Sequence, residues 1–301
     1  MATPQAHWRH CGKHTRLRLM PGPVQRSVVP MLLGLLLLLA GACAPQQCVP
    51  PLLDGPGWSR TSVAAPLPVA GWLRGGGETL HAYIEGDGLA YINRNRVSPD
   101  PTPTVPTGFM LARQDASDAV AYLGRPCQYI SGDQCQTVVW TTGRFSEQVL
   151  QSENQLLETL KQRAGASRIV LYGYSGGGGV AALLAARRSD VVGLVTVSGN
   201  LHHDIWTRHH KVTPLHASLD AISVAPRLTI PQVHYAGSED TIVPEFVIRS
   251  FATKVPPGTP CRVEVVPGLS HDGYAWARAW PNLLVTPGMP PAPTGDGTGL
   301  K

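Results

Sequence analysis

The chain has 301 residues, 43% of them apolar and 15% charged, which is enough for a substantial core in one large domain or two ordinary ones. Its formal charge of +5 comes entirely from Arg9, Lys13, Arg16, Arg18 and Arg26, which no acidic residue offsets before position 43. The remainder is neutral, so composition offers nothing to a nucleic-acid partner and none is expected.

The basic stretch runs into VVPMLLGLLLLLAGAC, a positive leader followed by an apolar core over residues 31–40 and small residues before a cysteine. That core is shorter than the roughly 20 residues a membrane-spanning helix needs. Residues 39–43, LAGAC, resemble the lipobox of bacterial lipoproteins, in which the cysteine is acylated and becomes the mature N-terminus. Residues 1–42 are therefore expected to be a lipoprotein-type signal peptide, with Cys43 as the lipidation site; an ordinary signal peptide with an incidental cysteine is the alternative. Translation from Met20 would give a more compact leader. The expected location is the bacterial cell envelope, held to a membrane by the lipid and facing the periplasm or exterior.

Residues 43–68 are rich in proline and glycine and read as a tether, with ordered structure expected from Val69. Residues 78–86, ETLHAYIEG, alternate and end in glycine as a strand does. The next stretch carries four prolines by residue 106 and reads as a long loop. Residues 109–120 have weak helical spacing through Leu111, Ala112, Asp115 and Ala119, and VAYLG follows as a short strand. Residues 145–163 place Phe145, Val149, Leu150, Leu156, Leu157 and Leu160 on one helical face behind Ser146 as N-cap.

Residues 168–174, RIVLYGY, form a nearly continuous apolar strand, so both its faces should be covered. A helix over 181–188 and a second buried strand over 191–199 come next. IPQVHYAG and RVEVVPG supply two more strands, GYAWARAW a last helix, and residues 287–301 a disordered tail. This alternation predicts an α/β domain over residues 69–286, with a mostly parallel central sheet and helices on both faces.

With Cys43 lipidated, four cysteines remain beyond the leader in an oxidising compartment. Cys127 and Cys135 flank a short polar loop, QYISGDQ, and are expected to pair; Cys48 with Cys261 follows by elimination.

Residues 173–177, GYSGG, match G-x-S-x-G between a buried strand and a helix, the setting of a nucleophile elbow. The turn lifts the Ser175 hydroxyl above the strand ends and brings backbones too close for flanking side chains. A serine hydroxyl needs a base, itself oriented by a carboxylate, and in this arrangement the acid and then the histidine follow at later strand ends. Asp240 stands in the turn after VHYAG and His271 after VEVVPG. Asp240 is preferred to its neighbour Glu239; His234 lies inside a strand and reads as a core histidine, and Asp272 as a local cap.

On these residues the chain resembles α/β-hydrolases from about Leu80 to Leu284. It also resembles a group of bacterial envelope α/β-hydrolases that share YIEGDG and a later CQY…C…WTTGRFS, present here at residues 83–88 and 127–146. The resemblance implies the α/β-hydrolase fold and the Ser175–Asp240–His271 triad, but no substrate.

An oxyanion hole needs two backbone N–H groups; Gly176 should supply one and Asp87, in the loop EGDG, the other. The usual histidine is absent from that loop, and either the nearby carboxylates turn away, towards Arg94, Arg96 or Arg144, or the hole is not competent. If only the Asp87 amide acts, Asp87→Ala leaves activity largely intact. LHHDIWTRHHK holds four histidines without a ligand spacing and reads as a cap or surface loop, so neither metal nor cofactor is expected. Trp276 and Trp280 read as helix packing.

The expected function is a serine hydrolase acting on a small-molecule or lipid-like acyl substrate, an esterase before a peptidase because esters are easier to cleave. A non-catalytic envelope protein that uses the same scaffold for binding or assembly is the second reading, and acyl transfer the third.

Overall fold

A computed structural model describes residues 53, 55–64 and 66–284. Ten strands, β1 (Trp58–Val63), β2 (Val69–Gly75), β3 (Thr79–Ile84), β4 (Tyr91–Asn93), β5 (Arg96–Val97), β6 (Ala119–Leu123), β7 (Arg168–Tyr174), β8 (Val191–Val197), β9 (Gln232–Gly237) and β10 (Cys261–Val266), alternate with helices. The helices are α1 (Thr107–Ala112), α2 (Glu147–Ala164), α3 (Gly176–Ala185), α4 (His203–His210), α5 (Glu245–Ala252) and α6 (Gly273–Leu283).

Eight strands form one sheet in the order β1-β2-β6-β3-β7-β8-β9-β10. The pairs β1/β2 and β2/β6 are antiparallel, and every pair from β6 to β10 is parallel. β4 and β5 make a separate small hairpin inside the proline-rich loop. Because the parallel strands end on one edge, the loops after β3, β7, β9 and β10 gather there, the usual place for a site in such sheets.

Two cores lie on opposite faces of this sheet. Leu80, Ala82 and Ile84 of β3 point to one of them, with Leu171 of β7 and the apolar stripes of α2, α3 and α5. Tyr83, Tyr122, Tyr172 and Tyr235 point to the other, under α1 and α6. Tyr83 and Tyr172 stack with centroids 4.3 Å apart, and Trp280 meets each of them edge-on. Trp276 and Trp280 are fully buried, which bears out their packing role.

α2 begins as expected: the Ser146 hydroxyl accepts from the Val149 amide at 3.4 Å, and Gly165 ends the helix at φ 69°. Ser146→Ala should cost about 1 kcal/mol. That corresponds to a melting-temperature loss of about 2–4 °C in a domain of this size, measurable by calorimetry.

Several expectations need correction. Ordered structure starts before Val69, because β1 lies inside the expected tether and pairs along its whole length with β2. The helix expected over 109–120 is one turn and a half, α1, ending at Ala112 before β6. α3 starts at Gly176 rather than Ala181, so the glycines after Ser175 are its first turn. α5 was not foreseen, and the expected cap over 201–211 contains α4. Cys127 and Cys135 are joined as expected, with Cα atoms 5.7 Å apart. Cys261 has no disulfide partner among the described residues, and Cys48, to which it is expected to pair, lies outside them. Cys48, Cys43, the signal-peptide residues and the 287–301 tail lie outside the described residues.

Candidate active site

Ser175 occupies the turn from β7 into α3 with φ 51° and ψ −121°, a left-handed backbone that a serine adopts only under constraint. Its amide donates to Val197 O at 2.9 Å, and its carbonyl accepts from Gly178 and Asn200. The turn leaves no room at its flanks: a Cβ on Gly173 would lie 2.4 Å from Gly177 O, and one on Gly177 2.3 Å from Ile84 O. Glycine at both positions is therefore a steric requirement of the serine's exposure.

The other two predicted side chains converge on it. His271, in the loop after β10, places Nε2 2.9 Å from Ser175 Oγ. Its Nδ1 lies 2.8 Å from Asp240 Oδ2, in the turn after β9. Asp240 is buried, and its Oδ1 accepts from the Ile242 and Val243 amides at 2.9 and 2.8 Å. Burial alone would raise the Asp240 pKa, but His271 and the Val243 amide outweigh it and hold the carboxyl below its ordinary value. An ionised Asp240 keeps the proton on Nδ1, which leaves Nε2 free to accept from the serine. Tyr174 OH donates to His271 O at 2.9 Å and fixes the loop that carries the imidazole.

The loop after β3 lies beside Ser175, since β3 neighbours β7. Among the described residues, neither the Asp87 nor the Gly176 amide has an acceptor within the protein, which leaves both available to a ligand. The Asp87 carboxylate turns to Arg144, as expected, and also to Arg125, whose Nη1 is 3.3 Å from Oδ1. Arg125 in turn lies 3.2 Å from Glu153 of α2, which is fully buried. Burial pulls the Asp87 pKa up, but the two guanidiniums prevail and keep it below the usual carboxylate range. The charge next to the proposed hole is thus neutralised. Arg94 does not join this group; it donates to His210 O at 3.2 Å.

Glu85, directly after β3, is buried. Oε1 accepts from the Gly86 amide at 2.8 Å, while Oε2 accepts from the Gly108 amide and Tyr122 OH, each at 3.0 Å. Burial raises its pKa from 4.5 to about 7, with those hydrogen bonds opposing the rise. A carboxyl whose folded pKa is raised stabilises fully below its unfolded value and loses that contribution as pH climbs through the folded one. Melting temperatures of the wild type and Glu85→Gln between about pH 5 and about pH 8 should therefore converge or cross, the wild type losing ground as pH rises. A constant difference would mean that Glu85 does not titrate there.

A cleft of about 1130 Å³ opens over Ser175 and His271, walled further out by Tyr91, Trp206, Val212 and Ile242. The β4–β5 hairpin reaches over it to the end of α4 through Arg94. Of the histidines expected in a cap or surface loop, His210 lines the cleft and bonds Ile242 O, whereas His202 bonds Ser250 and His203 stacks on Phe145. His234 is buried in β9 against Thr196, and Asp272 caps α6 through the Tyr274 amide, both as expected. Arg125, Gln128 and Glu153 were missed. The signal for Arg125 and Gln128 was their position just past the C-terminal end of β6, on the edge where the other loops gather, and Gln128 also lies in the segment CQY…C…WTTGRFS.

No protein-family model matches the sequence, and no curated protein does. Solved structures do. Est1E from Butyrivibrio proteoclasticus is similar over 75% of this chain and 97% of its own, at 12% identity and a TM-score of 0.53. An acetyl xylan esterase from Paenibacillus sp. R4 is similar over 75% and 85%, at 18% identity and a TM-score of 0.51. A 2,6-dihydroxy-pseudo-oxynicotine hydrolase is similar over 77% and 67%, at 17% identity and a TM-score of 0.54. The fold is the α/β-hydrolase fold.

Proposed function

We propose that the protein is a serine hydrolase that cleaves an ester through an acyl-enzyme at Ser175. The observation that carries this reading is the unbroken hydrogen-bond chain Asp240–His271–Ser175, ending at the floor of an open cleft. Ser175 Oγ attacks the acyl carbon while His271 Nε2 takes its proton, and Asp240 steadies the imidazolium. The developing oxyanion is received by the Asp87 and Gly176 amides. His271 then gives the proton to the leaving alkoxide, and water, activated by the same nitrogen, releases the acid.

An ester is favoured over an amide because esters are intrinsically easier to cleave and similar solved structures include an acetyl xylan esterase and an esterase from Pyrococcus furiosus, an argument by analogy. Tyr91, Trp206, Val212 and Ile242 give part of the cleft an apolar wall that suits an acyl chain or aromatic acid. We extend the proposal to the envelope: a leader removed before Cys43, lipid on that cysteine, and the domain displayed at a membrane surface. Mass spectrometry of the mature N-terminus tests this part by itself.

A fluorophosphonate probe tests the chemistry. The wild type should be labelled on the peptide that contains Ser175, and Ser175→Ala should not. A folded wild type that takes no label would favour the scaffold reading, in which the same cleft binds without turnover.

A further inference from the structure

The segment CQY…C…WTTGRFS has no part in the triad, yet its side chains converge on the loop 85–88. Gln128 is buried, and its Nε2 donates to Gly86 O at 3.1 Å. Its Oε1 accepts from the Arg125 amide at 3.0 Å, which fixes which end of the side-chain amide faces the loop. Arg125 and Arg144 hold the Asp87 carboxylate. Tyr129 OH is 3.0 Å from Tyr122 OH, which donates to Glu85.

The Gly86 carbonyl and the Asp87 N–H belong to one peptide unit. That unit is planar and trans, so its oxygen and its hydrogen point in opposite directions. A donor that fixes Gly86 O therefore fixes the direction of the Asp87 N–H, and it polarises that N–H as well. We propose that Gln128 is a positioning residue for the oxyanion hole, aiming the Asp87 amide at the carbonyl attacked by Ser175. This rests on the serine-hydrolase reading above.

Gln128 is itself held unusually firmly. Cys127 and Tyr129 on either side have φ of 69° and 61°, left-handed values that non-glycine residues keep only when the surroundings insist. The Cys127 amide donates to Pro68 O at 2.8 Å, and Arg60 donates to Tyr129 O at 2.7 Å. The Tyr129 amide donates to Thr102 Oγ1 at 2.9 Å. The Cys127–Cys135 bridge closes the segment. The disulfide thus serves the site by locking the backbone that carries Gln128.

Gln128→Met keeps the side chain's length and removes its donor. It should lower kcat for an activated ester about 10- to 100-fold, at or just below the effect of losing an oxyanion donor outright. KM should stay near wild type, and the melting temperature should fall by several degrees because the Arg125 amide and Gly86 O lose a buried partner, so kcat is compared per folded molecule well below the melting range. Gln128→Glu adds a pH signature, because only its protonated acid can donate to Gly86 O. The ratio of its kcat to that of the wild type should rise as pH falls. In parallel, hydrogen exchange of the peptide spanning 84–90 should quicken in Gln128→Met. It should also quicken in wild type reduced with a phosphine, which becomes its oxide as the bridge becomes two thiols. Unchanged kcat per folded molecule in an active enzyme, or a fall that vanishes once activity is normalised to folded protein, overturns the proposal. If the wild type hydrolyses nothing and takes no probe, the hydrolase reading has failed, and the exchange rates alone decide whether Gln128 orients the loop.

Discussion

Asp240→Asn should fold normally and lower kcat for an activated ester roughly ten-thousand-fold. The structure dictates which way the new amide must sit. Asp240 Oδ1 accepts two backbone amides, from Ile242 and Val243, and only the oxygen of an asparagine can take that place. The NH2 group is then left facing His271 Nδ1, at the position where Oδ2 now stands 2.8 Å away. That nitrogen has to become an acceptor, so the imidazole proton moves to Nε2, which faces Ser175 Oγ at 2.9 Å. A histidine in that tautomer cannot take the serine proton. The loss should therefore fall on kcat, with KM and the melting temperature little changed, because both buried acceptor contacts survive. Retention of more than about a tenth of wild-type turnover would mean that His271 is oriented by something else.

The three side chains of the candidate site were legible because each is announced by its own neighbours. Ser175 has glycines that the turn requires on steric grounds, and Asp240 and His271 each follow a strand that alternation reveals. The order of the parallel strands β3, β6, β7, β8, β9 and β10 was legible for the same reason: apolar runs with turn residues between them. What failed was structure that depends on distant partners. β1 is polar and half exposed, sits among prolines and glycines, and is a strand because β2 lies beside it. The start of α3 was misplaced because four glycines lower helix propensity, yet the elbow directs the chain into a helix at Gly176 and packing sustains it. The ion pairs about Asp87 join residues 38 and 57 positions apart, and no local pattern encodes such pairs.

Those pairs change the expectation for Asp87→Ala. Read from the loop alone, the substitution is mild, because the proposed donor is a backbone amide that alanine retains. In the fold, the carboxylate is the partner of two arginines that are themselves 6 and 8% exposed. Removing one member of a buried pair leaves the others uncompensated, a loss of about 3–5 kcal/mol. Glu153 relieves only one of them, since it meets Arg125 and not Arg144. Burial also lifts the Glu153 pKa to about 8, so near neutral pH it is largely protonated and a weak counter-charge. Chemical denaturation of Asp87→Ala should therefore show a large loss of stability, partly restored by adding Arg144→Met. Turnover per folded molecule should fall no more than about tenfold, because Gln128 still holds the Gly86–Asp87 peptide and the N–H is still aimed. The two positions should thus separate: Gln128→Met loses turnover per folded molecule at a smaller cost in stability, and Asp87→Ala loses more stability at nearly constant turnover per folded molecule. The reverse pattern would place the oxyanion contact in the Asp87 side chain and reduce the disulfide-bound segment to a structural brace.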